Sequence, residues 1–217
     1  MRKFFLIPAY KPTSDLLEIV EALLKKKFSG VIVIDDGGGE LFAGIFNSLR
    51  EMANVTVLTH AVNQGKGAAL KTGINHICNT YDNDVGIVTA DADGQHLIDD
   101  IIRVSEKLET TPGSLVLGVR AFSGSVPLRS RLGNATTRIL FKHVHGISLS
   151  DTQTGLRGLT AGNAKSFLNI RSQRYDFELD MLIMAKAQCM PLMEVPIATV
   201  YLDGNQSSHF NPLFDSI

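Results

Sequence analysis

Cysteine is scarce. Cys78 and Cys189 are the only two, and neither sits in a Cys-x-x-Cys pair or at ligand spacing from a histidine and an acid. A disulfide framework and a zinc centre are therefore excluded, leaving two reduced thiols. An excess of either charge is missing as well: 21 Lys plus Arg stand against 22 Asp plus Glu, a formal net charge of -1, and no half of the chain is markedly basic. Broad affinity for nucleic acid is excluded on that ground, though a local basic patch is not. Long apolar runs are lacking too. Residues 4–7 and 31–34 are far too short to cross a bilayer, and the run after Arg2 and Lys3 stops at Pro8, too early for a signal peptide. The chain reads as soluble and unexported. There is no internal repeat, no low-complexity segment and no clean linker. What is present is the composition of a globular domain: 217 residues, 44% hydrophobic and 20% charged, enough to bury a sizeable core in one unit.

Short apolar, β-branched runs alternate with stretches of helical period as far as about residue 120, the sequence form of repeated βαβ units. Residues 4–8 predict a first strand. Asp15 is placed to cap a helix whose Leu16, Ile19, Val20, Leu23 and Leu24 keep one face inward, with Lys25, Lys26 and Lys27 at its C-terminal end and Gly30 as its stop. Residues 31–34 are wholly apolar, as a strand covered on both faces requires, and run into Asp35, Asp36 and three glycines. Helices over 40–52, 67–78 and 98–108 and strands over 55–58, 85–90 and 115–119 continue the alternation. The first 120 residues thus predict a nucleotide-binding α/β half, with acids at strand ends falling in its ligand crevice. Beyond Arg120 the rhythm changes: residues 122–127 are loop-like, 128–144 suit a long helix, 151–159 a turn and short strand, 175–187 an amphipathic helix, and 193–200 an extended segment around Pro196.

The sharpest local signal is Asp91-Ala92-Asp93-Gly94-Gln95-His96, directly after an apolar strand. Alternate residues of a strand share one side, so Asp91 and Asp93 can converge on one hard cation, and Gly94 lets the chain turn. Mg²⁺ or Mn²⁺ held by one or two carboxylates keeps positions open for phosphate oxygens, which implies a metal-bridged nucleotide. The same residues also suit an acidic turn that caps the next helix through Asp93 or His96. At the second strand end, Asp35 or Asp36 can accept hydrogen bonds from a base or ribose, or stand as a solvated acid on a glycine turn. Asn63-Gln64-Gly65-Lys66-Gly67 opens a helix with small residues and a lysine, a layout suited to phosphate or to tight packing. It is not a Walker sequence.

Taken in order, Ile7-Pro8-Ala9-Tyr10, Ile34-Asp35-Asp36-Gly37, Asn63-Gln64-Gly65-Lys66-Gly67 and Asp91-Ala92-Asp93-Gly94-Gln95-His96 resemble the successive motifs of family 2 glycosyltransferases of the GT-A fold. The subgroup resembled most is the dolichyl-phosphate mannosyltransferase-like polyprenyl-phosphate sugar transferases. The likeness continues through Val119-Arg120, Arg129 to Asn134, Asp151-Thr152-Gln153-Thr154-Gly155-Leu156-Arg157, Tyr175-Asp176-Phe177-Glu178, Glu194-Val195-Pro196-Ile197 and Ser207-Ser208-His209-Phe210. One departure is Gly38, where the family usually has serine; it removes a hydroxyl contact and leaves the acids' roles intact.

The resemblance implies an α/β GT-A fold with a mostly parallel sheet flanked by helices, and an inverting transferase that moves a hexose from a UDP- or GDP-sugar to a polyprenyl phosphate in cell-envelope glycan synthesis. Pro8, Ala9, Tyr10, Asp35 and Asp36 would hold base and ribose. Asp91 with Ala92 would mark the nucleotide-sugar side, Lys66 would close over the nucleotide, and Asp93 with Gln95 would hold Mg²⁺ or Mn²⁺. Cleaving the anomeric bond releases a diphosphate whose charge needs a metal and cations. Arg120, Arg129, Arg131 and Arg157 are the candidates, with Arg120 assigned to the nucleotide sugar, Arg129 and Arg131 to the acceptor phosphate and Arg157 to the reacting centre. Asp151 is the candidate acid near the acceptor, with Glu178 and Asp180 behind it on the following helix, suited to that chemistry or equally to pairing with arginines.

Two other readings stay open: transfer to a sugar or teichoic-acid hydroxyl, and a nucleotidyltransferase or nucleotide-binding module. The latter usually opens on a glycine- and arginine-rich loop, where this chain has Ile7-Pro8-Ala9-Tyr10-Lys11-Pro12. The expected organisation is one catalytic domain over 1–217, with a nucleotide half over 1–120 and an acceptor half over 121–217. A lipid acceptor places it at the inner face of the cell membrane, either followed by a membrane domain after 217 or joined to a membrane partner. No nucleic-acid partner is expected.

Overall fold

Phe5, Ile7, Val31 and Val33 pack into one core, while Phe4, Leu6, Ile32 and Ile34 pack into another on the opposite side. Neighbouring residues in a strand point to opposite faces, so two cores from the same two strands mean a sheet covered on both sides. Each such side chain, fully buried, stabilises the fold by roughly 1.5–3 kcal/mol. The structure, a computed structural model, describes residues 1–26, 28–120, 141–144 and 146–198.

The strands in question are β1 (Lys3–Ala9) and β2 (Gly30–Asp35), followed by β3 (Val55–Thr59), β4 (Gly86–Thr89), β5 (Leu115–Arg120), β6 (Arg157–Thr160) and β7 (Leu192–Ile197). They form one seven-stranded sheet in the order β3-β2-β1-β4-β6-β5-β7. Only β6 runs against its neighbours, antiparallel to β4 and β5; the remaining pairs are parallel. Helices α1 (Asp15–Leu24), α2 (Ala43–Glu51) and α4 (Ile98–Thr110) cover one face, and α3 (Lys66–Thr80), α5 (Ala161–Phe167) and α6 (Asp176–Ala187) the other. The chain leaves β1 towards β2 and β3 on one side and towards β4 on the other. That reversal creates a crevice at the carboxyl ends of β1 and β4, where open α/β sheets bind ligands.

The structure revises several local expectations. Helix α1 begins at Asp15, and the preceding Ser14 makes no side-chain capping bond. The helix ends at Leu24, and Gly30 instead opens β2. Strand β4 stops at Thr89, so Asp91 and Asp93 lie in the turn after it rather than on a strand. The residue before α4 is an extended Leu97 with no side-chain bond, so neither Asp93 nor His96 caps that helix. Helix α5 was not anticipated; Thr160 caps it by accepting from the Asn163 amide at 3.4 Å. Of the helix expected over 128–144 only residues 141–144 are described, and they are helical. Among the described residues no helix is long and apolar enough to cross a membrane.

Candidate active site

The two acids ending β2 have different fates. Asp35 lies opposite Ala9 in the sheet and accepts a bond from the Gly38 amide at 2.9 Å. Both are buried, at 8% and 3% exposure, but Asp36 turns to the loop over 60–65. Its carboxylate accepts from His60 Nδ1 at 2.7 Å, Asn63 Nδ2 at 2.9 Å, the Gln64 amide at 2.9 Å and the Gly65 amide at 2.8 Å. A carboxylate offers about four acceptor sites, so these donors fill it. Asp36 therefore ties β2 to the loop before α3 and has no capacity left for a nucleotide, contrary to the sequence expectation. Gly37 next to it has φ +71°, and a Cβ there would lie 2.4 Å from the Val62 carbonyl carbon, so only glycine lets the two loops pass.

The loop so fixed delivers Lys66 to its partners. A Cβ on Gly65 would meet the Gln173 carbonyl oxygen at 2.7 Å, and one on Gly67 would meet Phe177 Cβ at 2.5 Å. The Ala68 amide donates to the Gln173 carbonyl at 2.8 Å. Of the two uses left open for these small residues, tight packing is the one observed, against the segment that leads into α6. Lys66 Nζ then sits 2.6 Å from Asp91 Oδ1 and 2.8 Å from Glu178 Oε2, with the Tyr175 ring 5.8 Å away. Burial opposes the ammonium charge, but the Asp91 and Glu178 carboxylates outweigh it and hold the lysine above its ordinary value. Lys66 is thus engaged by two acids, rather than standing free to cover a phosphate.

Asp91 is the counterpart. Burial would raise its carboxyl, yet Lys66, helped by His96 at 3.8 Å, holds it well below the usual carboxylate range. Gly155 permits this packing, since a Cβ there would fall 2.6 Å from Asp91 Oδ2. Asp93 differs. It is half-buried, accepts from the Gln95 amide at 3.1 Å, and is pushed up by burial and by the Asp91 charge. Among the described residues no group of three or more His, Cys, Asp or Glu could hold a metal ion. A cation here would take one or two protein ligands and fill the rest with substrate oxygens and water, as Mg²⁺ does beside phosphates. Asp93 fits that demand, because its anion lacks the compensation that Lys66 gives Asp91.

On the acceptor side the pairing differs from expectation. Asp151 is 0% exposed and binds Arg120 through Nε at 2.7 Å and Nη2 at 3.2 Å, while also accepting from the Gln153 amide at 2.9 Å. It cannot reach an acceptor as a base; it orients Arg120, which closes β5 at the crevice. Arg157 is 1% exposed. Its Nε donates to the Thr154 carbonyl at 3.0 Å and its Nη1 to the Glu178 carbonyl at 2.6 Å. Burial lowers its guanidinium against the opposing pull of Glu178, Asp151 and Asp91. It lies beneath the site, with Nε and Nη1 spent on backbone carbonyls rather than presented at the surface of the crevice. Glu178, a candidate either for the chemistry or as a partner for arginines, pairs its carboxylate with Lys66 while its charge also acts on Arg157. Asp180 accepts from Ser172 Oγ at 2.8 Å. Arg129 and Arg131 lie outside the described residues, as does the Ser207-Ser208-His209-Phe210 run. Pro8 and Ala9 line the end of β1, with Tyr10 half-buried just past it and Ala92 half-buried between the two acids. His60, which sequence reasoning passed over, links Asp36 to Thr72 Oγ1 at 2.9 Å; its only signal was a place just after a strand.

A mostly parallel sheet wrapped by helices, with a carboxylate loop at its switch point, is the architecture of the GT-A glycosyltransferases. Residues 4–167 match the profile of glycosyl transferase family 2, and the chain belongs to that family. It is 29% identical over 220 residues to the UDP-N-acetylglucosamine–dolichyl-phosphate N-acetylglucosaminyltransferase of Methanococcus voltae, covering 92% of this chain and 86% of that protein. It is 29% identical over 221 residues to a dolichyl-phosphate beta-glucosyltransferase of Trichomonas vaginalis, covering 92% of this chain and 66% of that one. The fold is also that of glucosyl-3-phosphoglycerate synthase from Mycobacterium tuberculosis, solved with Mn²⁺, uridine diphosphate and phosphoglyceric acid. There the TM-score is 0.69 at 15% identity, over 95% of this chain and 72% of the other.

Proposed function

We propose that this glycosyltransferase moves a hexose from a nucleotide sugar to a polyprenyl phosphate of the dolichyl type, with inversion at the anomeric carbon. The observation that carries the choice of acceptor is the state of the two acids nearest to a base role: Asp151 is sealed beneath Arg120, and Glu178 is engaged by Lys66. A hydroxyl acceptor needs a base to take its proton. A phosphate monoester, with a second pKa of roughly 6, is largely a dianion at neutral pH and attacks without one. The named acceptors of the two curated relatives are dolichyl phosphates, which agrees with that chemistry.

Within this reading Asp35, Ala9 and Tyr10 hold the base and ribose at the ends of β1 and β2. Asp93, with Gln95 beside it, would hold Mg²⁺ or Mn²⁺, which when bound offsets the charge of the leaving diphosphate. Arg120, aimed by Asp151, adds a guanidinium to the crevice; Arg129 and Arg131, which lie outside the described residues, stay candidates for the acceptor phosphate from the sequence. The acceptor approaches the face of the sugar opposite the diphosphate, hence inversion. A lipid acceptor places the enzyme against a membrane, at its cytoplasmic face. The direct test incubates the protein with UDP-glucose, UDP-N-acetylglucosamine or GDP-mannose, MnCl₂ and dolichyl or undecaprenyl phosphate, and follows lipid-linked sugar and nucleoside diphosphate. Transfer to a soluble glycan but not to either lipid phosphate would sink the acceptor assignment. An undiminished rate in Asp93→Ala would sink the metal assignment.

A further inference from the structure

Strand β7 ends the sheet beside β5, and Glu194 in its middle is exposed. A charge on an edge strand ordinarily faces water and discourages pairing with another chain. Glu194 instead uses both oxygens on one residue of a remote segment. Its Oε1 accepts from the Ser150 amide at 2.5 Å, and its Oε2 from the Ser150 hydroxyl at 3.0 Å. Bonds to an ionised acceptor are short and roughly twice as strong as neutral ones. Held by its backbone and its side chain together, Ser150 is fixed in place and in the direction in which the chain leaves it.

The next residue is Asp151. From 147 to 156 the backbone forms neither helix nor strand, so its course depends on tethers of this kind. At the far end Thr89 Oγ1, on β4, donates to the Gly155 carbonyl at 2.9 Å, and the Gly118 amide, on β5, donates to the Leu156 carbonyl at 2.9 Å. Glu194 grips the near end. Asp151 lies between the two grips, with no exposed surface and with its carboxylate on Arg120. That contact has little slack. Arg120 Nε is 2.7 Å from Oδ2, but Nη2 is 3.2 Å from Oδ1, at the long limit for an N–H···O bond. A small displacement of Asp151 therefore breaks the second bond and lets the guanidinium pivot about the first.

We infer that Glu194 is a positioning residue for the transfer reaction: by holding Ser150 it places Asp151, and through Asp151 it aims Arg120. This rests on the reading above in which Arg120 supplies a guanidinium to the crevice. The role is separable from stability. Both bonds to Glu194 lie at the surface, where their loss costs the fold little, whereas the group they aim closes β5 at the crevice. Remoteness is no objection, since misplacing a group at a reacting centre by about 1 Å costs roughly a hundredfold in rate.

Two measurements test it. The first is the Nε–H signal of Arg120 in heteronuclear NMR spectra, identified by its absence from Arg120→Lys, and it needs no substrate. A bond to a buried carboxylate protects that proton from exchange with water, so its exchange should quicken at least about tenfold in Glu194→Ala. The second is transfer with the sugar nucleotide and acceptor that wild type uses. Glu194→Ala should lower kcat about fivefold, the scale of one hydrogen bond, while the thermal midpoint moves by no more than about 2 °C. Glu194→Gln, which keeps one accepting oxygen, should recover part of the rate. In a protein already carrying Asp151→Asn, Glu194→Ala should cost less than about twofold, because Arg120 has lost its aim. A Glu194 that served the fold alone would cost as much in either background. That result, or an Arg120 signal unmoved in Glu194→Ala, overturns the inference. A signal that moves while the rate does not would sink the part given to Arg120 in the reaction, and the inference with it.

Discussion

Asp151 presents both carboxylate oxygens to the Nε and Nη2 of Arg120 while having no exposed surface of its own. An acid so placed acts through the arginine. Asp151→Asn keeps the shape but leaves the guanidinium of a part-exposed Arg120 without its counter-charge. Losing charged hydrogen bonds of this kind costs about 2 kcal/mol, or roughly 4–8 °C in the thermal midpoint of a chain of this size. Turnover should fall at least about tenfold by the same energy scale. The profile of rate against pH should keep its shape, since the variant changes where Arg120 points and not which group takes a proton. Loss of the acidic limb of that profile would show Asp151 to be a base after all.

The sheet was legible because its physics is local. A short β-branched apolar run such as residues 31–34, bounded by Gly30 and the turn at 35–39, fits a strand covered on both faces, and β2 is buried at every residue. The acids after β4 were readable as a pair, but not that they lie in a turn beyond the strand's end at Thr89. What local pattern could not assign was the direction of each acid. Asp35 and Asp36 are neighbours, and which one faces the ligand depends on a loop at 60–65 that Asp36 itself binds. The pairing of Lys66 with Glu178 joins residues remote in sequence, brought together by glycines whose small size gave two equally good reasons for their presence. Arg157 looked like a phosphate ligand by residue type, but its strand turns it inward, under Thr89, which it pairs in register.

The two acids at the end of β2 should separate cleanly by mutation. Asp36→Ala leaves His60, Asn63 and two backbone amides without their acceptor, and a cost of about 3 kcal/mol follows from several buried donors losing one partner. Its effect belongs in thermal unfolding. Asp35→Ala removes one bond to the Gly38 amide, so its midpoint should move little, while Mn²⁺-dependent binding of UDP or GDP weakens. Calorimetry and thermal melts on both variants check this, and the reverse pattern would exchange the two roles.

Lys66→Met should make stability depend on pH in a way the wild type does not. In the wild type the lysine holds Asp91 below its unfolded value, so that stabilisation is complete above a pH of about 4 and is lost only in stronger acid. Without the lysine only His96 still opposes burial at Asp91, so its carboxyl rises from the wild-type position towards and above the unfolded value. A carboxyl raised by folding loses stability as pH climbs from about 4 through the new value. The gap in midpoint between the two proteins should therefore be small near pH 4 and widen towards pH 8. Removing one partner of a buried pair costs about 3 kcal/mol at the lower end of the usual range, so the gap at pH 8 should reach roughly 6–12 °C. A constant gap would mean that Lys66 contributes packing and not charge.

Two helical glycines give opposite forecasts from the same substitution. Alanine gains about 1 kcal/mol over glycine inside a helix. At Gly44, in α2, a Cβ would meet nothing within 4 Å, so Gly44→Ala should raise the midpoint by a few degrees. At Gly67, in the first turn of α3, the same atom would lie 2.5 Å from Phe177 Cβ and 2.8 Å from the Arg174 carbonyl oxygen. The Arg174 oxygen is backbone, and Phe177 is buried at the start of α6, so neither yields cheaply. Forced overpacking costs about 1–3 kcal/mol, which cancels or exceeds the helical gain. Relief comes by parting α3 from α6, and that draws Lys66 away from Glu178. Gly67→Ala should accordingly lower the midpoint and weaken binding of the sugar nucleotide. Gly44→Ala should leave that affinity alone. Thermal melts and paired titrations on the two variants read all four outcomes, and a Gly67→Ala protein with wild-type stability and affinity would show that the close approach of α3 to α6 has no part in building the site.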